Sequence, residues 1–455
     1  MATTLQAPAQ PDVPTVERVI RIEGGAPLEG TVTIGGAKNA ALPALAATLL
    51  TADECTLNNV PDLADIRTMA SLLRSLGAVV EIDAVRRRIR VRAETIERTA
   101  APAEIVRRMR ASFLVAGPLL TRCGEMSAST PGGCQLGARP VDVDVRGFRQ
   151  MGAEVGFDEG GRSIAARTIG LRGARIYMDY PSHTGTENLL MAATLAGGKT
   201  QIVNASCEPE IVFLGAMLNR MGARIAGLGS PILTVEGVDR LHGVSETILP
   251  DRLEGGTFAI AAAITGGEVE LRNVRHADML PLTAKLREAG VEVWTDEERM
   301  LVRTRGELRA VEIQTLPYPG FPTDLQAAFA ALMTQARGVS RLHERVFEDR
   351  LRYTDQLRAL GARIDVEKVV PLGPDGAVVA GVVRYGTKAE IAGPTPLRGA
   401  SVRCLDIRAG AGVVLAGLAA EGETTVSDVH HLDRGYESFV PKLRELGARI
   451  EDSAG

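Results

Sequence analysis

The chain has 455 residues, of which 45% are hydrophobic and 24% charged. That composition excludes a disordered, collagen-like or disulfide-stapled protein, and the length allows two or three domain-sized cores. Lys and Arg total 52 against 56 Asp and Glu, a net charge of −4, and aromatics are only 4%, so neither a global basic field nor base-stacking platforms point to nucleic acid.

The first fifteen residues, MATTLQAPAQPDVPT, are rich in Pro and Ala and lack a basic stretch followed by an apolar one. They read as a disordered leader, taken as residues 1–20, rather than a signal peptide. Apolar runs such as Phe258 to Thr265 fall far short of the roughly 18–20 residues a membrane span needs. No membrane partner and a cytoplasmic location are expected.

From residue 21 onward one pattern recurs six times. Each copy contains a helix rich in small apolar residues: AKNAALPALAATLL from Ala37, MRASFLVAGPLL from Met109 and TENLLMAATLAGG from Thr186, then EGGTFAIAAAITGG from Glu254, TDLQAAFAALMTQ from Thr323 and IRAGAGVVLAGLAAEG from Ile407. Such helices are apolar nearly all round and are expected to be buried. Each precedes a strand (CTLNNV, MSAST, TQIVNA, VELRNV, SRLHERV, TTVSDV) and a polar loop. A second helix then ends on a glycine, at Gly77, Gly152, Gly222, Gly290, Gly361 and Gly447, at intervals of 75, 70, 68, 71 and 86. The glycines are read as helix C-caps leading into a strand. The α/β unit is strand, helix, strand, loop, helix, strand. Three units are expected in each of two halves, with buried helices inside and strands outside. The roughly 70-residue period is too long for a solenoid.

Polar residues concentrate at the starts of the buried helices (Lys38, Asn39, Arg110, Asp251, Arg252, Asp324, Asp406, Arg408) and in the loops before the second helices (Arg139, Arg350, Arg434). A helix N-terminus carries partial positive charge, so cations repeated there predict an anion bound between them. GGAKNAALP is not a Walker A motif. STPGGCQLGARP, from Ser129 to Pro140, is expected to form a lid-like loop in which Arg139 lowers the pKa of an accessible Cys134 thiol. Cys55, Cys123, Cys207 and Cys404 lie in or beside apolar runs and read as small buried hydrophobes. Asp324 by itself reads first as a helix N-cap, with a general base as the sharper alternative. Asp406 with Arg408, and Asp433 with Arg434, read as ion pairs turning an arginine toward an anion. His430 and His431 fit packing as well as chemistry. No CxxC, HExxH or strand-following GxGxxG is present, so no metal and no cofactor are expected.

The motifs GGAKNAALPAL, MRAS, PGGCQLGARPVD, EPEIV, PDRLEGGTF, FPTDLQAAF, VFEDR, LDIRAGA and DRGYE, in that order from about Arg21 to the C-terminus, resemble the UDP-N-acetylglucosamine 1-carboxyvinyltransferase family of enolpyruvyl transferases. The resemblance implies an inside-out α/β barrel of six βαβαββ-like repeats in two lobes. One lobe is 38–249, carrying the Cys134 loop, and the other is 21–37 plus 250–455, joined by a double crossover. It also implies transfer of the enolpyruvyl group of phosphoenolpyruvate to the 3′-hydroxyl of UDP-N-acetylglucosamine, through a tetrahedral intermediate, as the first committed step of peptidoglycan synthesis. Both substrates are polyanions, which accounts for local cations in a net-negative chain.

By the same resemblance Cys134 is the proton donor and the thiol alkylated by fosfomycin, and Asp324 is the candidate base. Lys38, Arg139 and Arg434 surround the phosphate of phosphoenolpyruvate, with Arg408 and its neighbour Asp406 close by. Asn39, Arg110, Pro140, Val141, Asp142, Val143, Ser182 and Val346 contact the UDP-sugar. The chain departs from the family in the loop Ser182-His183-Thr184-Gly185-Thr186, where Ser-Val-Gly-Ala-Thr is common, and after Arg350, where a Met-His-Val stretch is common. Two other readings stand beside this one. A transferase for another acceptor, such as shikimate 3-phosphate, would carry Ser-Lys-Ser and Gly-Asn-Ala-Gly-Thr motifs, which are not found. A silent UDP-sugar-binding regulator would not need Cys134, Asp324 and Lys38 together. Oligomeric state is not legible.

Overall fold

The computed structural model describes residues 18–129, 141–158, 160–369 and 384–453. Its strands form six small sheets, five of four strands and one of three. The three-stranded one gains a parallel bridge between Ala100 and Ser127 at its edge. Strands alternate buried and exposed residues, as in Val19–Glu23, where Ile20 and Ile22 point inward, so each sheet covers a core with one face and meets solvent with the other.

The six repeat glycines all lie at positive φ, between +91° and +108°. Only there does the chain turn from the second helix of a unit into its outer strand, and a side chain at that φ is strained. The sequence expectation of six capped helices therefore holds.

The small-residue helices lie beneath the sheets. Arg252–Ile264, Gln326–Met333 and Ile407–Ala419 pack against one another. A Cβ on Gly412 would sit 2.7 Å from the carbonyl carbon of Ala327, so the last two touch backbone to backbone. On the other side Ala116–Cys123 packs on His183–Ala193. The helix Lys38–Ala47 meets the 3₁₀ segment Arg110–Val115, which also touches the His183 helix. The expected continuous helix from Met109 is thus broken into a 3₁₀ turn and an α-helix.

Hydrophobic residues fall into two clusters. One takes its members from Ala37 to Leu249; the other takes Ile20 to Ile34 and resumes from Leu253 to Ile450. The chain crosses between them twice. Strand Glu29–Thr33 pairs in parallel with Glu268–Arg272, and Ser245–Thr247 pairs in parallel with Thr56–Asn58. The two crossings bond to each other, Ala37 N–H to Leu249 O at 2.7 Å and Asp251 N–H to Gly35 O at 2.9 Å. Two helix starts, at Lys38 and Arg252, are thereby placed side by side at the junction. Among the described residues no helix is long and apolar enough to cross a membrane.

Candidate active site

Lys38 is the first residue of its helix and is 7% exposed. Its backbone N–H donates to Asp251 Oδ2 at 3.3 Å, and its Nζ lies 3.3 Å from Asp65 Oδ2. The other oxygen of Asp65 accepts from Arg434 Nε at 3.0 Å. Burial lowers the Lys38 pKa; Asp65 opposes that, while Arg408 and Arg434 add to it.

Asp324 lies in the 3₁₀ turn Thr323–Leu325 that leads into the helix Gln326–Met333, and it caps neither. Its carboxylate instead receives Arg350 Nη2 at 2.8 Å and faces Arg408 Nε at 3.6 Å. Burial disfavours its charge, yet Arg350, Arg408 and Lys38 outweigh burial and hold the carboxyl well below the usual range. It is ionised at any physiological pH. Arg350 also reaches Thr323 Oγ1 at 2.8 Å, and that hydroxyl donates to Glu344 Oε2 at 2.8 Å. Glu344 accepts the N–H of Val346 at 2.7 Å, fixing the backbone there. Four cations and two carboxylates thus meet where the two hydrophobic cores abut, an array suited to holding a polyanion beside a hydroxyl whose proton Asp324 can take.

Two sequence readings are corrected. Asp406 forms no side-chain pair with Arg408. It is the N-cap of Ile407–Ala419, its Oδ1 accepting the N–H groups of Arg408 (2.8 Å) and Ala409 (2.9 Å), because an unpaired helix terminus needs those donors met. Arg408 is aimed by that cap and by the ring of Tyr436, 5.0 Å from its guanidinium carbon; its Nη1 is buried without a hydrogen-bond partner. Asp433 binds Arg18 rather than Arg434. Arg252 does not join the cation array either: it makes a buried ion pair with Glu210, Nε to Oε1 3.0 Å.

A second cleft is lined by Arg110, Phe113, Leu114, Val141, Asp144, Thr184 and Asn188. Asp144 accepts from Asn188 Nδ2 at 2.8 Å, and Asn188 Oδ1 accepts the N–H of Gly117 at 3.1 Å. Burial raises the Asp144 carboxyl from 3.8 to about 6, against the pull of Asn188 and Arg110. Asp142 is exposed and pairs with Arg146 at 3.5 Å. Val143 is half-buried and close to Gly185, where a Cβ would lie 2.9 Å from Val143 Cγ1. Asn39 is half-buried beside Lys38. The departure at residues 182–186 is not a loop but a helix start. Ser182 is the N-cap, its Oγ accepting from Gly185 N at 3.1 Å. His183, in the first turn, faces Glu187, with Nδ1 to Oε1 3.3 Å. Burial disfavours its charge, but Glu187, Glu208 and Glu210 prevail and push its pKa up to about 10.

Cys134, Arg139 and Pro140 lie outside the described residues. Sequence reasoning missed Asp65, Glu344, Asp144 and Tyr436. A signal for Asp65 existed: like Arg350 and Arg434, it stands about a dozen residues before the repeat glycine of its unit. Among the described residues no three His, Cys, Asp or Glu side chains gather as a metal-binding group.

Residues 22–443 match the EPSP synthase (3-phosphoshikimate 1-carboxyvinyltransferase) family model. A UDP-N-acetylglucosamine 1-carboxyvinyltransferase of Granulibacter bethesdensis is 49% identical over 96% of this chain and 99% of its own. One of Magnetococcus marinus is 48% identical over 95% and 98%. Among solved structures, the enolpyruvyl transferase NikO of Streptomyces tendae superposes with a TM-score of 0.85 at 24% identity, covering 96% of this chain and 99% of its own. An EPSP synthase of Acinetobacter baumannii superposes at 0.73 and 17%, covering 96% and 100%. These two show a shared fold, the enolpyruvyl transferase fold expected from the sequence.

Proposed function

The chain belongs to the UDP-N-acetylglucosamine 1-carboxyvinyltransferases, within the EPSP synthase family, and from that premise we propose that it transfers the enolpyruvyl group of phosphoenolpyruvate to the 3′-hydroxyl of UDP-N-acetylglucosamine with release of phosphate. The observation that supports this reading is the meeting of Lys38 and Arg434 on Asp65 with Arg350 and Arg408 on Asp324 at the junction of the two hydrophobic cores. The reaction serves peptidoglycan synthesis, and the cytoplasm is its location.

In this reading the phosphate of phosphoenolpyruvate binds to Lys38, Arg434 and Arg139, with Arg408, aimed by the Asp406 cap, beside it. Asn39, Arg110, the 140–143 backbone, Ser182 and Val346 hold the UDP-sugar. Cys134 protonates the methylene of phosphoenolpyruvate, C2 accepts the 3′-oxygen, and Asp324 takes the hydroxyl proton. The resulting tetrahedral adduct then loses phosphate from C2 and a proton from its methyl group, restoring the double bond. Asp324 is a weak base while Arg350 and Arg408 face it, so it takes the proton only as the new C–O bond forms and the oxygen turns acidic. Residues 38–249 act as one lobe and 21–37 with 250–455 as the other; the expected leader of residues 1–20 is too long by at least two residues, since Val19 and Ile20 already belong to the second lobe through the strand Val19–Glu23.

The test is phosphate release from phosphoenolpyruvate. Release that depends on UDP-N-acetylglucosamine is expected. Release with another acceptor, such as shikimate 3-phosphate, and none with UDP-N-acetylglucosamine would overturn the reading.

A further inference from the structure

Asp65 is 5% exposed and spends each carboxylate oxygen on a different cation. Lys38 comes from the Ala37–Leu249 side of the molecule, as Asp65 does. Arg434 comes from the 3₁₀ segment Val429–Arg434 on the other side. We propose that Asp65 is a positioning residue for the transfer reaction: its carboxylate keeps the Lys38 ammonium charged and aligned with the Arg434 guanidinium, so that the two present one array to the phosphate of phosphoenolpyruvate. This rests on the function proposed above.

The neighbours of Lys38 leave that task to Asp65. Arg408 and Arg434 are the cations that face it, and both favour loss of its proton. Asp251 is committed to backbone: one oxygen takes the N–H groups of Leu253 and Glu254, the other the N–H of Lys38. Asp324 is held between Arg350 and Arg408. Among the described residues Asp65 is therefore the carboxylate in direct contact with the Lys38 Nζ, while Asp324 acts on it from beyond ion-pair distance. An ammonium taken out of water beside two guanidiniums gives up its proton unless an anion opposes it. A fixed anion also sets both cations in place before substrate arrives, so that no reorganisation is needed when the phosphate comes to share them.

The experiment compares wild type with Asp65→Asn and Asp65→Glu in phosphate release from neutral to alkaline pH. With Asp65→Asn, kcat/KM for phosphoenolpyruvate is expected to fall about tenfold near pH 8, and its alkaline limb to move about one pH unit lower. KM for UDP-N-acetylglucosamine should stay within about a factor of two. Asp65→Glu should keep the wild-type limb. An unmoved alkaline limb in Asp65→Asn overturns the proposal. So does an equal loss in both KM values and kcat, or failure of both variants to fold by circular dichroism, which would assign Asp65 to the fold. A wild type that releases no phosphate with UDP-N-acetylglucosamine refutes the proposed function instead. Calorimetric titration of wild type and Asp65→Asn with phosphoenolpyruvate over the same pH range then decides, and equal affinities throughout would overturn the role of Asp65.

Discussion

At the scale of the residue, Asp144 ionises against the interest of the fold. Its carboxyl is 3% exposed, and burial raises its pKa from 3.8 to about 6. Between those values the folded chain binds a proton that the unfolded chain has released, so stability falls as pH rises through that window and stays lowered above it. A displacement of that size corresponds to about 3 kcal/mol. Asp144→Asn keeps an oxygen to accept from Asn188 and carries no charge at any pH. The variant is expected to melt higher than wild type at pH 7.5, with the difference shrinking as pH falls toward about 4. Thermal denaturation monitored across that range checks it, and a difference independent of pH would mean that the ionised carboxylate is satisfied by Arg110. Asp324 presents the opposite case: three cations keep it charged, so an acid limb of activity near neutrality belongs to another group. Neither behaviour was legible in the sequence. An aspartate near a helix start reads as a cap or a dipole partner whatever its environment; what separates Asp144 from Asp324 is which cations tertiary packing sets beside each.

At the scale of the element, turn chemistry made the repeats readable. A glycine forced to positive φ at the same point of six units is a local requirement and leaves a local signature. Helix starts were less readable. The turn 183–185 is polar and reads as a loop, because the Ser182 cap that makes it helical is a single hydrogen bond. The close contact of buried helices is a stronger constraint and gives a sharper expectation. Replacing Gly412 by Ala in the interior of Ile407–Ala419 gains about 1 kcal/mol of intrinsic helix propensity. It also sets a methyl 2.7 Å from the Ala327 carbonyl carbon and 2.8 Å from its oxygen. Backbone on both sides cannot step aside as a side-chain tip would, and overpacking of this kind costs about 1–3 kcal/mol. The expected result is a net loss of stability, seen as a lower urea midpoint with an unchanged m value. A midpoint equal to or above that of wild type would show that the two helices can separate without cost.

At the scale of the whole molecule, the two hydrophobic clusters stay separate among the described residues, and polar contacts link them. Glu437, from one side, binds Arg87 and accepts the N–H of Asp62 at 2.9 Å on the other. Glu208 and Tyr318 touch through an N–H···O bond of 3.5 Å. The most enclosed of these links is Arg252 with Glu210, their side chains 10% and 1% exposed. Such a pair adds little net stability while both partners stand, since each paid desolvation on folding; losing one partner leaves a buried charge unanswered and costs about 3–5 kcal/mol. Glu210→Gln should therefore lower Tm markedly, because the carboxylates left to Arg252, among them Glu208, Asp324 and Asp278, form no ion pair with it. Glu210→Leu combined with Arg252→Met removes both charges at similar volume and should recover most of that loss. Because the pair links the two cores, the single variant should also broaden the calorimetric transition or split it in two, each core melting on its own. The decisive comparison is between single and double variants. If the double variant is no more stable than Glu210→Gln, the junction depends on the ion pair itself rather than on the absence of a lone buried charge. Polar seams of this kind join domains that move against one another, and an enzyme that must admit two polyanions and then exclude water from a reactive adduct has use for one.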